Sequence, residues 1–540
     1  MTNLLLKTVT AAAFFLGILV SPDLVATYLT SDGELGATNF ARLTLIRAAC
    51  VVGAVFAWVQ LQRHDGWRGV VRHFAQQSAQ WPTYLFRVVC LLAVAYYLAF
   101  AVYSGNGTNG GEYLNIARSL AAGEGFAVLE ANRWMWFDFV QDPATLPQDV
   151  YYPTVMAEPI YPFLLSLSIS LMGAEQFTPV LWLHTFAWVG SAMLWFSILK
   201  RVLANHWIAA GAASLLLLWP SAINLHLAFL SPAPLAGLFV ATLAWLAMTL
   251  LEDSRLKWAL IAGLVVGFGA LTLATLMAVI PVLCLVPLLR DVKSRASWAQ
   301  AFVIGLVAVT VIAPWSYRNY QVVDAFVPVR VGMGLISHQG NPVLAATFFD
   351  NRQACSDGVG EDLWQTSGPR ESIRIMGKKF EHSRAIYRVS FACVEEHAPA
   401  DYAQMNEQQR DAFYAQEART FIQENPGVFA WLGLHKYLKF FEGWHWQHTV
   451  VGVFALAGLF AGLFNKNLFV LLMMLGVFVG PYVLGAPWGY RYRFPVEGLM
   501  LLFASLPVHW LVEYVRQRLG ARSAKAAEPG DRWSSPLVER

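Results

Sequence analysis

The chain has 540 residues, of which 57% are hydrophobic and only 14% charged, and its mean hydropathy is +0.47. Soluble domains average about 45–50% apolar and about 25% charged residues, so this composition excludes an ordinary soluble protein. The formal net charge is only +3, and the basic residues lie in short loops between apolar blocks, which argues against nucleic-acid binding.

Most of the apolar blocks approach the length of about 20 residues that a helix needs to cross a hydrocarbon core about 30 Å thick. The sequence therefore predicts an all-α polytopic membrane protein with about 12–13 transmembrane helices. The candidate spans are residues 4–29, 43–62, 84–103, 159–173, 178–199, 205–228, 233–251, 258–273, 275–289, 298–315, 449–464, 467–484 and 495–515.

Lys and Arg in the short loops predict the orientation of these spans, because cytoplasmic loops carry an excess of both. The basic segments are the loop 62–82, the loop 290–295 and the tail from residue 516. With those three in the cytoplasm, residues 104–158, 316–446 and 485–494 lie on the outer side.

The number of spans conflicts with this orientation. Thirteen crossings from a cytoplasmic N-terminus would leave the basic tail outside, against its charge. We therefore expect that one segment does not cross fully. The short block 159–173 and the divided region 258–289 are the best candidates for a re-entrant or half-spanning helix.

Five segments follow from this pattern along the chain. They are two extra N-terminal helices with a basic loop (1–83), a transmembrane core that includes the first outer loop (84–315), a small mixed periplasmic domain ending in an interfacial helix (316–446), the C-terminal transmembrane helices (447–515) and a disordered cytoplasmic tail (516–540). The periplasmic domain contains Cys355 and Cys393, which either pair, because that compartment is oxidising, or remain free thiols. The five cysteines of the chain lack metal-ligand spacing.

Polar clusters mark three places at the outer ends of spans. In residues 105–126, Glu112 begins an amphipathic helix after a Gly-rich loop, where a helix N-terminus favours a carboxylate. The alternative is a capped surface helix without catalytic function.

Arginines dominate the other two clusters. Arg318 lies among aromatic residues in 314–328. It either binds an anion or serves as an interfacial anchor. Arg491 and Arg493 are one residue apart in 489–498, and two guanidiniums that close suit a phosphate or pyrophosphate. A salt bridge to Glu497 or a contact with lipid headgroups is the alternative for that pair.

Four stretches, in order, resemble the bacterial membrane glycosyltransferases of the GT-C superfamily, in the family 39 and aminoarabinose-transferase branch. They are NGGEYLNIARSLAAGEGF, EPIYPFLLSLSISLMG from Glu158, PWSYRNYQVVDAFVPVRVGMGLISHQGNP at 314–342, and RYRFPVEGLMLLFAS near the C-terminus. The resemblance covers roughly residues 84–515 and implies a GT-C type fold.

The resemblance implies transfer of a sugar from a polyprenyl-phosphate donor to an envelope lipopolysaccharide, glycolipid or protein, on the periplasmic face of the bacterial inner membrane. No cofactor is expected, and a requirement for a divalent metal stays open. The implied catalytic residues are Glu112 and Asn109. The residues implied to bind the substrate or its lipid phosphate are Arg318, Arg491, Arg493, Tyr490, Tyr492, Tyr113 and Glu158.

One departure bears directly on activity. Where the family has a catalytic Asp, four residues before Tyr113, this chain has Asn109, and an amide cannot act as a general base. Either Glu112 takes over that role, or the chain is a catalytically silent partner protein that binds the lipid carrier. A transporter or flippase is a third alternative, although no internal repeat is visible.

Overall fold

The computed structural model describes residues 80–104, 111–129, 149–173, 176–203, 205–218, 230–345, 371–375, 378–382, 394, 398–442, 446–486 and 493–527. Within these ranges, six helices are long and apolar enough to cross a membrane, by length and composition. They fit the predicted multi-pass, helical membrane protein. The first two predicted spans, 4–29 and 43–62, lie outside the described residues.

The described helices follow the predicted spans closely and add several between them. They are α1 (Trp81–Ser104), α2 (Gly111–Ala122), α3 (Ile160–Met172), α4 (Thr178–Val202), α5 (His206–Leu217), α6 (Ala233–Glu252), α7 (Leu256–Ala270), α8 (Val279–Arg290), α9 (Arg295–Val323), α10 (Met333–His338), α11 (Glu407–Glu424), α12 (Pro426–Glu442), α13 (Trp446–Gly462), α14 (Lys466–Leu484) and α15 (Glu497–Ala527).

Two antiparallel hairpins accompany the helices. Strands β1 (Ala127–Leu129) and β2 (Tyr151–Pro153) pair with Val128 opposite Tyr152. Strands β3 (Glu371–Ile375) and β4 (Lys378–His382) form the second pair. The first hairpin belongs to the predicted first outer loop, and the second lies within residues 316–446.

Both candidates for the segment that does not cross fully are short in the structure. The first, 159–173, forms α3 with 13 residues, and a helix of that length spans only about 20 Å. The second, 258–289, forms α7 and α8 with 15 and 12 residues, divided by the 3-10 turn Ala274–Ala278. Helix α5, with 12 residues, is a further short helix.

The largest apolar core lies among α1, α4 to α9 and α12 to α15. Helices α7 and α9 pack most closely where glycines replace larger side chains. A β-carbon at Gly263 would lie 2.7 Å from Val307 Cβ, and one at Gly267 would lie 2.8 Å from Val311 Cβ. This small-xxx-small spacing lets two helix backbones approach, as in other membrane helix pairs.

Two predicted boundaries differ from the structure. Helix α9 continues through Pro314 to Val323, so Arg318 lies on the helix and not in a loop after it. Helix α15 continues to Ala527, so the first part of the tail predicted as disordered is helical. The Ala, Arg and Lys residues of this stretch are strong helix formers.

Candidate functional site

Glu112 lies in the first turn of α2, where the sequence predicted the helix to begin. Its neighbour Tyr113 and the residues Ile116 and Ala117 are buried in one apolar cluster with α3. Glu112 is only 7% exposed although it is a carboxylate. The partial positive charge of the helix N-terminus favours a negative charge at this position.

Glu158, just before α3, is 1% exposed. Its Oε2 accepts a hydrogen bond from the Tyr113 hydroxyl at 2.9 Å, and its Oε1 accepts one from the Ala274 backbone N–H at 2.9 Å. Because Tyr113 directly follows Glu112, this bond brings two acidic residues from separate parts of the chain into one place.

Arg330 joins the two carboxylates. Its Nη1 lies 3.2 Å from Glu158 Oε2 and 3.5 Å from Glu112 Oε1, and its side chain is only 16% exposed. One guanidinium therefore lies between two buried carboxylates.

Helix α9 determines where Arg330 lies. The segment 327–331, which carries Arg330, runs back along this helix. Trp315 Nε1 and Asn319 Nδ2 each donate a hydrogen bond to the Val329 carbonyl at 2.9 Å. The Pro-Trp-Ser-Tyr-Arg-Asn stretch that we singled out in the sequence therefore holds the segment that presents Arg330.

Gly332 lets the chain turn directly after Arg330. Its φ of +118° is one that residues with a β-carbon rarely adopt, and a β-carbon there would also lie 3.5 Å from Arg330 Nη2. Just before the turn, the Val331 N–H donates to the Val155 carbonyl at 3.0 Å, which ties this segment to the chain that leads to Glu158.

The cluster lines a cavity of about 320 Å³, at the lower end of the volume range of small-molecule sites. Most of the remaining wall is apolar and comes from the turn Ala274–Ala278, α10 and α14. Its principal apolar residues are Leu273, Met277, Met333, Ile336, Phe478 and Pro481. The cavity therefore combines one compact charged cluster with an extended apolar surface.

A buried aromatic layer supports the charged cluster. The Tyr113 and Tyr161 rings pack edge to face at a centroid distance of 5.4 Å. The Tyr161 hydroxyl lies 3.1 Å from His184 Nε2, and the two rings stack at 5.7 Å. Tyr113, and through it Glu158, is thus held by packing as well as by its hydrogen bond.

Arg318 anchors the first hairpin to α9. Its Nη1 donates to the Thr154 carbonyl at 2.6 Å and its Nη2 donates to the Phe126 carbonyl at 2.8 Å. The guanidinium also lies about 5 Å from the ring centroids of Phe126 and Trp315. Arg318 does not line the cavity, and these contacts favour an anchoring role over phosphate binding.

Arg493 is fully buried and bound within the protein. Its Nη1 donates to the carbonyls of Phe440 and Phe441, at 3.0 and 2.7 Å, at the end of α12. Its Nε lies 2.9 Å from Glu497 Oε1. The salt bridge to Glu497 was the alternative to phosphate binding in the sequence, and it is the arrangement that the structure contains.

Several predicted site residues lie outside the described residues. These are Asn109, Tyr490, Arg491 and Tyr492. Cys355 and Cys393 also lie outside them, so their pairing stays a prediction. Of the predicted residues, the structure brings together Glu112, Tyr113 and Glu158.

Sequence reasoning missed Arg330 and Gln339 as residues that line the cavity. Both occur in the stretch 314–342 quoted for the resemblance. The signal for Arg330 was a lone basic residue in the otherwise apolar run Val-Pro-Val-Arg-Val-Gly. Gln339 carried no comparable signal, because only the tertiary fold shows that it is 1% exposed beside the cavity.

The arrangement has the components of an acid–base site. A carboxylate can accept a proton, and a guanidinium can stabilise charge that develops on an oxyanion. Among the described residues, no group of three or more His, Cys, Asp and Glu side chains could hold a metal ion. No family model matches the chain, and no curated protein matches it.

Proposed function

We propose that the chain is a membrane glycosyltransferase of the GT-C type. It moves a sugar from a polyprenyl-phosphate donor to a lipopolysaccharide, glycolipid or protein acceptor of the cell envelope. The observation that carries this proposal is the position of Arg330, 3.2 and 3.5 Å from the carboxylates of Glu158 and Glu112, at the wall of a largely apolar cavity.

The apolar wall of the cavity suits the lipid part of such a donor. Met277 and Met333 contribute flexible side chains and Phe478 an aromatic ring, and flexible Met side chains adapt to apolar ligands of irregular shape. Met277 and Met333 are 37% and 57% exposed, so the apolar wall continues to the protein surface. A donor could place its phosphate near Arg330 while its chain follows this wall.

Glu112 is the proposed general base. The acceptor hydroxyl oxygen attacks the anomeric carbon, and the bond between that carbon and the phosphate oxygen breaks. The electron pair leaves with the phosphate, while the hydroxyl proton moves to the Glu112 carboxylate. Glu112 thereby takes the role that Asn109 cannot perform.

Arg330 is the proposed binder of the departing phosphate. Its charge stabilises the negative charge that grows on the phosphate as the glycosidic bond breaks. Glu158 holds Arg330 and is itself held by Tyr113 and Ala274, so it serves to orient the guanidinium.

The proposed location is the bacterial inner membrane, with the cavity on the periplasmic side. The support comes from the positive-inside rule, because the basic loop 290–295 directly precedes α9 and Arg318 lies near the other end of that helix. A polyprenyl-phosphate donor presented at that surface would reach the cavity from the bilayer.

A mass profile of envelope glycans tests the proposal. Cells that lack the gene are complemented with the wild type, with Glu112→Gln or with the control Glu124→Gln, whose side chain is exposed in the same loop. We expect a defined sugar to disappear on deletion and to return with the wild type and the control. Glu112→Gln should lower transfer by about 10²–10⁴-fold, the usual effect of losing a general base.

Other outcomes point to the alternatives. If Glu112→Gln restores the sugar fully, Glu112 is not the base. If deletion changes no glycan, the chain is better described as a catalytically silent protein that binds the lipid carrier, which the Asp-to-Asn departure at Asn109 would explain.

Arg330 provides an independent test. We expect Arg330→Gln to lower transfer by about 10²–10³-fold, because one donor to the developing oxyanion is lost. Arg330→Lys should restore only part of the rate, since an ammonium lacks the planar pair of N–H donors with which a guanidinium binds a phosphate. Transfer by purified protein with a synthetic polyprenyl-phosphate sugar measures both, and a wild-type rate for Arg330→Gln would overturn the phosphate assignment.

A further inference from the structure

Helix α10 continues into a π-helical turn, Gln339–Val343, which contains Pro342. Such turns are rare and occur frequently at functional sites. Gln339, the first residue of this turn, lines the cavity and is 1% exposed. Its Nε2 has no hydrogen-bond partner in the described part of the chain. The turn thus brings a buried donor without a protein acceptor to the cavity wall.

The π-helical turn is fixed against the end of α14. A β-carbon at Gly340 would collide with the carbonyl of Gly485, so the two backbones are in direct contact. Asn341 Nδ2 donates to the Leu484 carbonyl at 2.9 Å and to the Ser337 carbonyl at 2.8 Å. These contacts leave the turn little freedom to shift.

Lys436 of α12 lies behind the same turn. It is 2% exposed, and its Nζ donates to the Gly340 carbonyl at 3.0 Å and to Asn341 Oδ1 at 3.3 Å. No carboxylate pairs with Lys436 within the described ranges. Its ammonium therefore contacts the residue that follows Gln339, and Lys436 itself does not line the cavity.

A buried ammonium that hydrogen-bonds only to neutral oxygens carries a desolvation cost. Burial lowers the pKa of Lys436 to about 7. A nearby anion would favour the charged form of Lys436 and offset this cost. An anion bound in the cavity, at the wall to which Gln339 contributes, would have this effect.

We propose that the π-helical turn is the wall that receives the anionic, phosphate part of the substrate, and that Lys436 is the positioning residue that holds this wall and makes it electropositive. The inference rests on the proposed function, since it assumes that the cavity takes a lipid phosphate. Arg330 and the turn would then contact the phosphate from two different walls of one cavity.

Equilibrium binding to the purified full-length chain in detergent tests this. The probes are radiolabelled farnesyl methyl phosphate, a phosphodiester with one permanent charge, and farnesol, its uncharged counterpart. We expect Lys436→Met to weaken phosphodiester binding about tenfold and to leave farnesol binding unchanged. Lys436→Arg should restore most of the phosphodiester affinity.

The matched control is Lys439→Met. Lys439 lies on the same helix and pairs with Glu442 at 3.2 Å, so its loss should leave both affinities at the wild-type value. If Lys436→Met does not fold, Gln339→Leu tests the same wall and should likewise reduce the preference for the phosphodiester. Equal loss of both probes would identify a purely structural role and would overturn the inference.

The result also separates the inference from the proposed function. If the wild type binds farnesyl methyl phosphate no better than farnesol, the phosphate site itself fails. If Arg330→Gln abolishes the preference while Lys436→Met and Gln339→Leu retain it, only the role of the π-helical turn is overturned.

Discussion

Arg493 Nε lies 2.9 Å from Glu497 Oε1, and both side chains are fully buried one helical turn apart. The same guanidinium donates to the last carbonyls of α12, so one side chain joins the end of that helix to the start of α15. In the sequence, this arginine resembled a ligand for phosphate. In the fold, it is a connection between helices.

We therefore expect Arg493→Met to act on stability. Removal of one partner leaves the Glu497 carboxylate buried without its cation, which costs about 3–5 kcal/mol. The measurement is the thermal midpoint in detergent, with Arg516→Met as control. Arg516 pairs with Glu513 on the same helix but is 74% exposed. An Arg493→Met protein that unfolds like the wild type but loses lipid-phosphate binding would restore the phosphate assignment.

The contact between α7 and α9 predicts a second effect on stability. Gly263→Ala places a β-carbon 2.7 Å from Val307 Cβ and 2.9 Å from the Ile304 carbonyl, so the helices must move apart. We expect a loss of about 1–3 kcal/mol. Gly476→Ala in α14 is the matched control, because no atom lies within 4 Å of its added carbon. Equal thermal unfolding midpoints for Gly263→Ala and Gly476→Ala would contradict this close packing of α7 and α9.

His338 predicts how stability depends on pH. It is 2% exposed, and burial lowers its pKa to about 3, against about 6.5 in an unfolded chain. At a pH between these two pKa values, His338 binds a proton in the unfolded state but stays neutral in the folded state. The contribution of His338 is therefore complete above pH 6.5 and decreases as pH falls towards 3, by at most about 1.4 kcal/mol per pH unit.

Thermal midpoints measured between pH 4 and pH 7.5 test this expectation. His338→Gln should reduce the dependence on pH, while His206→Gln, at an exposed position at the start of α5, should leave it unchanged. A wild-type slope in His338→Gln would show that other groups cause the acid sensitivity.

Long-range contacts explain why the predicted site was only partly right. Glu112 could be found because a carboxylate at the start of an amphipathic helix is a local pattern. Arg318 and Arg330 lie in one quoted stretch, yet only Arg330 lines the cavity. The difference depends on which carbonyl each guanidinium meets, and Thr154 lies 164 residues from Arg318.

Sequence alone determined the helical membrane class and the limits of most helices. These properties follow from local apolar runs and from the number of residues that a bilayer requires. Tertiary structure decided which charged groups meet: Arg330 with Glu112 and Glu158, and Arg493 with Glu497. A buried charge must find its partner through packing across the whole fold, and the spacing of residues along the chain does not encode that choice.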